Sequence, residues 1–391
     1  MPTLTRTARL SAIAAVAVAA VASSGCGTVR PSASTPAGPW SGICPRQASA
    51  VPRSAVPGAA VQTIATGLCV PWGLAFLPDG TALVGERDTA RLLSIAVDGR
   101  VTEIQHFADV RPGGRPASAE HGGEGGLLGI AVSPDYATDR WVYAYYATAD
   151  DNRVARFHLG EPAQPILAGI PVADPAGKGA GLRAHQGGRI AFGPDGMLYV
   201  AAGETYYTPD IAQDRASLGD KILRITPDGK PAPGNPFGDS PVYSLGHRNV
   251  QGLAWDSAGR LYASELGLGT FDELNAIQPG GNYGWPVVEG PGTDPRFINP
   301  LATWSPTSVA SPSGIAIVND RIYVACLAGK RLYRVSLDGR TNEALYTGQF
   351  GRLRTIAAAP DGSLWALTSN RDGIGTPAAG DDRILRIVPD R

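Results

Sequence analysis

Charge is scarce in this chain. Only 18% of its 391 residues are Asp, Glu, Lys or Arg, and the formal net charge is −1. A near-neutral chain gains no electrostatic attraction to nucleic acid or to an anionic surface. Cysteine is also sparse, at four residues, and no two of them have zinc-site spacing. Beyond the first 25 residues no apolar run is long enough to cross a membrane. What is abundant is Gly (50) and Pro (33), together about 21% of the chain, alongside 43% hydrophobic residues. Gly and Pro are the two poorest residues in helix interiors, so a mostly helical fold is excluded. The apolar content excludes disorder, which needs few apolar residues and high net charge. A turn-rich, all-β chain remains, long enough for one large domain or two ordinary ones.

Residues 1–25 read as a secretory signal. Arg6 and Arg9 form a positive start, and Leu10 to Ala22 form an apolar run of about 13 residues, too short for a transmembrane helix. Cys26 follows Ser23, Ser24 and Gly25, an arrangement that resembles a bacterial lipoprotein site, although Ser23 stands where Leu is usual. The expectation is an exported protein held at the outer face of the cell membrane by a lipid on Cys26. Residues 26–60, rich in Pro, Ala and Ser, read as a tether, and 61–391 as the folded domain. Export implies an oxidising compartment. Cys44, Cys69 and Cys326 then remain, and a Cys44–Cys69 disulfide would pin the tether to the domain.

One pattern recurs six times: an apolar pair, a Pro-Asp-Gly-like turn, and a second apolar strand. The copies begin at Leu74, Ile130, Ile190, Leu253, Ile315 and Ile356, with turns such as Pro78-Asp-Gly80, Pro194-Asp-Gly196 and Pro360-Asp-Gly362. Pro fixes φ and Gly accepts positive φ, so each copy predicts a β-hairpin. A further strand follows most copies, as in Arg91–Ile95, Asn152–Phe157, Lys221–Ile225, Arg331–Val335 and Arg383–Ile387, and predicts an outer strand with its basic residues in solvent. Starts lie roughly 40 to 63 residues apart, close to a propeller repeat. The expected fold is a six-bladed β-propeller with four-stranded antiparallel blades around a channel. Its long inserts should share one face and carry function.

The chemistry-bearing residues fall in those connections. Gly122–Gly129 is glycine-rich with one carboxylate, Glu124. It lacks the strand–loop–helix setting of a phosphate loop. His185-Gln-Gly-Gly-Arg189 precedes the third hairpin, and Gly203-Glu204 follows it. A hairpin brings its ends together, so Glu204 can orient His185 and raise its basicity. A lone histidine is otherwise more often structural. Gly246-His-Arg-Asn249-Val-Gln251 opens the fourth hairpin. The stretch from Ser264 through Gly267, Asp272 and Glu273 to Tyr283 offers carboxylates and carbonyls suited to a hard cation such as Ca²⁺. Arg352 and Arg354 share one strand face and suit a ligand with several carboxylates.

Together and in this order, Gly125–Gly129, His185–Arg189, Gly246–Gln251, Gly280–Pro286 and Arg352–Arg354 resemble the soluble glucose dehydrogenase and aldose sugar dehydrogenase family, also called glucose/sorbosone dehydrogenases, over about residues 60–391. The resemblance implies a six-bladed propeller using pyrroloquinoline quinone (PQQ) and Ca²⁺ to oxidise the C1 hydroxyl of a sugar, with an external electron acceptor it does not specify. It makes His185 the general base, Glu204 its orienting acid, Arg248 the arginine near the quinone oxygens and Asn249 a cofactor contact. Arg352 and Arg354 take cofactor carboxylates. The carbonyls of Gly267 and Leu268 hold the cofactor-bridging Ca²⁺. Glu273 and the Tyr283 carbonyl hold a second, structural one. Trp304 and Thr307 lie in a loop covering the cofactor. Four positions depart from the pattern: Glu124 stands where Gln is common, Ala184 for an acid, Leu268 for Pro, and Ala328 for a Lys, leaving Lys330 as the nearby cation. Two other readings stand beside this one: a non-catalytic binding propeller that has lost its quinone, and a Ca²⁺-dependent lactonase-type hydrolase.

Overall fold

In the computed structural model, each of the six hairpin copies supplies the first two strands of a four-stranded antiparallel sheet. The structure describes residue 44 and residues 48–50, 61–111, 123–172, 184–204 and 208–389. Backbone proximity divides the chain into Met1–Pro39 and Trp40–Arg391, and every described residue belongs to the second unit. The signal-like segment and Cys26 lie outside the described residues. Among the described residues, no helix is long and apolar enough to cross a membrane.

Blade 1 is built from Pro71–Phe76, Ala82–Glu86, Arg91–Ile95 and Val101–His106. Blade 3 is built from Ile190–Phe192, Leu198–Ala201, Lys221–Ile225 and Val242–Leu245, and blade 4 from Val250–Trp255, Leu261–Glu265, Asp272–Ile277 and Ala302–Trp304. Blades 2 and 5 follow the same in-to-out order. Blade 6 differs. Leu353–Ala358, Leu364–Thr368 and Arg383–Ile387 are completed by Val61–Thr66 from the start of the domain, so the first and last strands of the ring pair with each other. Ser49–Ala50, inside the segment read as the tether, adds a short fifth strand. The Cys44–Cys69 disulfide forms alongside it, and Cys326 is buried and free.

The repeat is also a repeat of register. Leu74 pairs Val84, Ile130 pairs Ala144, Ile190 pairs Val200, Leu253 pairs Ala263, Ile315 pairs Val324 and Ile356 pairs Ala366. The residue before four of these positions is glycine. A Cβ at Gly73, Gly129, Gly252 or Gly314 would overlap the backbone of the next blade's inner strand, so close approach there requires glycine. The six inner strands enclose a channel of about 470 Å³ lined by residues such as Phe76, Val132, Phe192, Trp255 and Ile317. Apolar clusters fill the wedges between neighbouring blades.

Two expectations are corrected. In blade 2 the turn after Pro134 has no glycine. The chain makes one helical turn, Tyr136–Asp139, and Asp139 takes over the turn's capping bonds to Ser133 and Trp141. The basic strands are the third of four, not the outermost, and Lys221 is fully buried rather than solvated. The 3₁₀ turn Pro209–Gln213 and its continuation fold over it. Its ammonium donates to the carbonyls of Ile211 (2.7 Å), Ala212 (3.1 Å) and Gly219 (2.7 Å), the three bonds a primary ammonium can make.

Candidate functional site

The residues singled out in the connections gather at the end of the channel where inner strands begin and second strands finish. Five of the six inner strands have a register irregularity there, and bulges of this kind re-aim side chains beside sites.

His185 is the centre of the cluster. Its backbone sits at φ 54°, a left-handed conformation uncommon for a residue with a Cβ. Its N–H donates to Glu124 Oε2 at 2.8 Å. The ring nitrogens have distinct partners: Nδ1 lies 2.8 Å from Glu204 Oε1, and Nε2 lies 3.3 Å from Nη2 of Arg248. A guanidinium can only donate. Nε2 is therefore the acceptor, and the ring proton sits on Nδ1, donated to Glu204. This tautomer leaves Nε2 unprotonated beside Arg248. Glu204 is itself held in place. Trp285 Nε1 donates to its Oε2 at 2.8 Å, and Arg248 Nε lies 3.1 Å from Oε1 as an ion pair, out of line for a hydrogen bond.

Asn249 ties the two loops together. Its Oδ1 accepts from Gly187 N at 3.0 Å, its Nδ2 reaches Glu124 Oε2 at 3.5 Å, and its backbone bridges Gly203. Burial pushes the Glu124 carboxyl up, but the neighbouring His185, whose backbone N–H it accepts, and the Arg354 and Arg87 charges outweigh it, and the net shift is downward.

On the blade 6 side, Arg352 and Arg354 are both buried beside Asp372. Arg352 Nε donates to its Oδ2 at 2.8 Å, and Arg354 Nη2 lies 3.7 Å from it. Burial raises Asp372, yet Arg352, Arg354 and Arg87 together leave it below its ordinary value. Arg354 Nη1 donates to Gln251 Oε1 at 2.7 Å, while its Nε finds no hydrogen-bond partner among the described residues. Nothing in the sequence points to Asp372 or Arg87, whereas Trp285 and Gln251 lie inside the Gly280–Pro286 and Gly246–Gln251 motifs.

Blade 4 supplies the cation-binding candidates. The carbonyls of Leu266 and Gly267 accept from Arg248 Nη1 at 2.9 and 2.5 Å, while Leu268 is 61% exposed. Glu273 pairs across strands with Glu265, and Asn275 Nδ2 donates to both carboxylates, at 3.0 and 2.9 Å. Burial, with the neighbouring Glu265 charge adding to it, pushes Glu273 up to about 8. Tyr283 is buried, stacked on His247 at 4.6 Å.

Three candidates lie apart. Trp304 ends the outer strand of blade 4 and stacks on Tyr333 at 5.2 Å in the core between blades 4 and 5. Thr307 opens the 3₁₀ turn Thr307–Val309. Lys330 is exposed in the turn between Arg321–Cys326 and Arg331–Ser336, not within the arginine cluster.

A six-bladed propeller with a carboxylate-oriented histidine and several buried arginines at one mouth carries a candidate binding and acid–base site rather than being a scaffold alone. Residues 68–376 match the Glucose / Sorbosone dehydrogenase family, and the chain belongs to that family. The PQQ-bound aldose sugar dehydrogenase of Streptomyces coelicolor is similar at 48% identity and a TM-score of 0.76, covering 88% of this chain and 99% of that one. The aldose sugar dehydrogenase of Escherichia coli K12 is 27% identical over 362 residues, 80% of this chain and 91% of its own. Quinoprotein glucose dehydrogenase B of Acinetobacter calcoaceticus is 29% identical over 273 residues, 59% of this chain and 52% of its own.

Proposed function

We propose that this protein is an exported, PQQ- and Ca²⁺-dependent aldose sugar dehydrogenase that oxidises the C1 hydroxyl of sugars and passes electrons to an external acceptor. The observation that carries the reading is the Glu204–His185 pair at 2.8 Å, with the other ring nitrogen, Nε2, 3.3 Å from Arg248 Nη2. The Cys44–Cys69 disulfide supports an oxidising compartment, and lipidation at Cys26 belongs to the same proposal.

The residues fit the groups the reading needs. Arg87, Arg248, Arg352 and Arg354 are buried at one mouth, and Arg354 Nε is without a hydrogen-bond partner among the described residues. Such a set suits the three carboxylates of PQQ. The Ca²⁺ proposed beside the cofactor takes the carbonyls of Gly267, which already faces the Arg248 cation, and Leu268, and the Glu265–Glu273 pair needs a proton or a cation between its members, which suits a second Ca²⁺.

When bound, PQQ supplies the acceptor for the hydride leaving C1, and Ca²⁺ supplies Lewis acidity beside it. The chain's own task is the proton. His185 Nε2 takes it from the C1 hydroxyl, and the Nδ1–H bond to Glu204 holds the ring and stabilises the imidazolium formed. Trp285 and Arg248 keep Glu204 from turning away.

The test is reconstitution. Apo-protein given PQQ and Ca²⁺ should reduce a dye in a sugar-dependent manner, and His185→Ala should not. Wild type that fails to reduce the dye, or an unimpaired His185→Ala, sinks the proposal. Calorimetric titration with PQQ identifies the alternative of a binding propeller without turnover.

A further inference from the structure

The turn between the second and third strands of blade 4 has all its amides facing one way. The N–H groups of Leu268, Gly269, Thr270 and Phe271 donate to a single atom, Glu289 Oε1, at 2.8, 3.1, 3.1 and 3.1 Å. Glu289 lies well along the chain, in the connection toward the outer strand of the same blade. Four consecutive amides converging on one oxygen form an anion-binding nest. Gly267 N turns instead to Asp272 Oδ1, at 3.0 Å.

In a trans peptide the carbonyl points opposite to the N–H. The Leu268 N–H bond to Glu289 therefore aims the Gly267 carbonyl away from Glu289, and the Gly267 N–H bond to Asp272 does the same for the Leu266 carbonyl. Both carbonyls meet Arg248 Nη1. Each peptide plane thus has a carboxylate at its N–H end and a guanidinium at its C=O end, aligned with its dipole. A Cβ at Gly267 would overlap the Phe271 carbonyl and crowd Glu289 Oε1, so the turn closes around Glu289 only with glycine there. The same guanidinium reaches His185 Nε2 through Nη2 and Glu204 through Nε.

We propose that Glu289 is a positioning residue for the reaction: its charge fixes the 267–268 peptide so that the Gly267 carbonyl is presented to a cation at the mouth of the site. That cation is the Arg248 guanidinium beside His185 and, on the dehydrogenase reading above, on which this inference rests, also Ca²⁺. A carbonyl oxygen has two lone pairs and serves both. The nearest sequence signal, the Gly267–Leu268 pair, points to the ligand but not to the residue that aims it.

The experiment compares wild type, Glu289→Gln and Glu289→Ala. In apo-protein without PQQ, amide hydrogen exchange of 268–271 reads the nest directly. Protection should fall in Glu289→Ala and be intermediate in Glu289→Gln, which keeps an acceptor oxygen without the charge. In reconstituted protein, the Ca²⁺ concentration for half-maximal activity should rise, and kcat should fall with little change in sugar KM, by roughly 10–100-fold for such an outer contact, with excess Ca²⁺ restoring part of it. Unchanged exchange in Glu289→Ala overturns the inference. So does lost protection with wild-type Ca²⁺ requirement and kcat, because the nest is then only a turn. Glu289→Gln behaving as wild type in all three readouts overturns the role of its charge. Failure of the dehydrogenase reading is separate and visible in wild type alone, which would then not respond to PQQ and Ca²⁺.

Discussion

The two ends of the blades are built by different kinds of bond. At the hairpin end, Asp79, Asp195, Asp256 and Asp361 each use Oδ1 to accept the N–H two residues on, from Thr81, Met197, Ala258 and Ser363 at 2.9 to 3.1 Å. At the opposite end hardly a bond that matters is local. Glu124 reaches His185 across 61 residues, Gly187 reaches Asn249 across 62, Arg354 reaches Gln251 across 103 and Thr355 reaches Trp72 across 283. One end is assembled blade by blade. The other exists only when the ring is closed, so residues there answer to several blades at once. Substitutions should be costly at the long-range end and cheap at the local end.

The largest effect expected is at the histidine. His185→Ala should lower kcat by about 10²–10⁴-fold while the thermal unfolding midpoint moves little, as read by dye reduction beside circular dichroism. A variant that keeps its activity would break the comparison at its centre. Next is Asp372→Asn. It leaves Arg352 and Arg354 buried without their shared carboxylate, and removing one partner of a buried ion pair costs about 3–5 kcal/mol. The apo-protein should melt earlier, and added PQQ should recover more stability than in wild type, because its carboxylates then meet less compensated arginines. Equal PQQ stabilisation of both proteins would show that this cluster does not bind the cofactor's anionic groups.

A smaller effect separates two aspartates on one loop of blade 6. The folded pKa of Asp372 is depressed, so its contribution is present above the unfolded value near 4 and lost as pH falls through the folded value. Asp382 has the opposite sign. Burial raises it to about 7, against hydrogen bonds from Asn370 N and Thr368. The folded state then binds more protons than the unfolded one between about pH 4 and 7, and stability declines as pH rises through that window. Urea melts across pH should show Asp382→Asn flattening the decline and Asp372→Asn flattening the acid limb. An Asp382→Asn profile that declines from pH 4 to 7 as steeply as wild type would refute the Asp382 assignment.

This difference in bond range also decides what could be read in advance. The six hairpins were legible because a Pro-Asp-Gly turn is complete within its own few residues. His185 and Glu204 were legible because they flank one hairpin, and Arg352 and Arg354 because they share a strand face. Asp372 was not, since it lies in a Gly- and Asp-rich loop without periodicity, 18 to 20 residues beyond the arginines it serves. Lys221 departs from the pattern because its strand position is the one where Arg91, Arg331 and Arg383 are only partly buried, and nothing in its own strand announces the 209–219 segment folded over it. Glu289 stayed hidden for the same reason: its four partners are 18 to 21 residues away and contribute only backbone.

The smallest effect tests the local end. Asp79 is exposed and accepts one bond from Thr81 N within its own turn. The blade 1 strands around it are independently fixed by their pairing from Leu74↔Val84 outward and by the apolar wedge behind them. Asp79→Ala should therefore lose about the net value of one exposed hydrogen bond, 0.5–1 kcal/mol, in urea melts, with kcat and the Ca²⁺ requirement unchanged. Turns of this kind recur in other blades, and because they share no partners, a second substitution at Asp361 should add to the first, apart from the further loss of the Asp361–Arg386 ion pair. A clear departure from additivity, or a change in turnover from Asp79→Ala, would mean that the hairpin end is coupled through the blade to the mouth, and that the two ends are one cooperative structure.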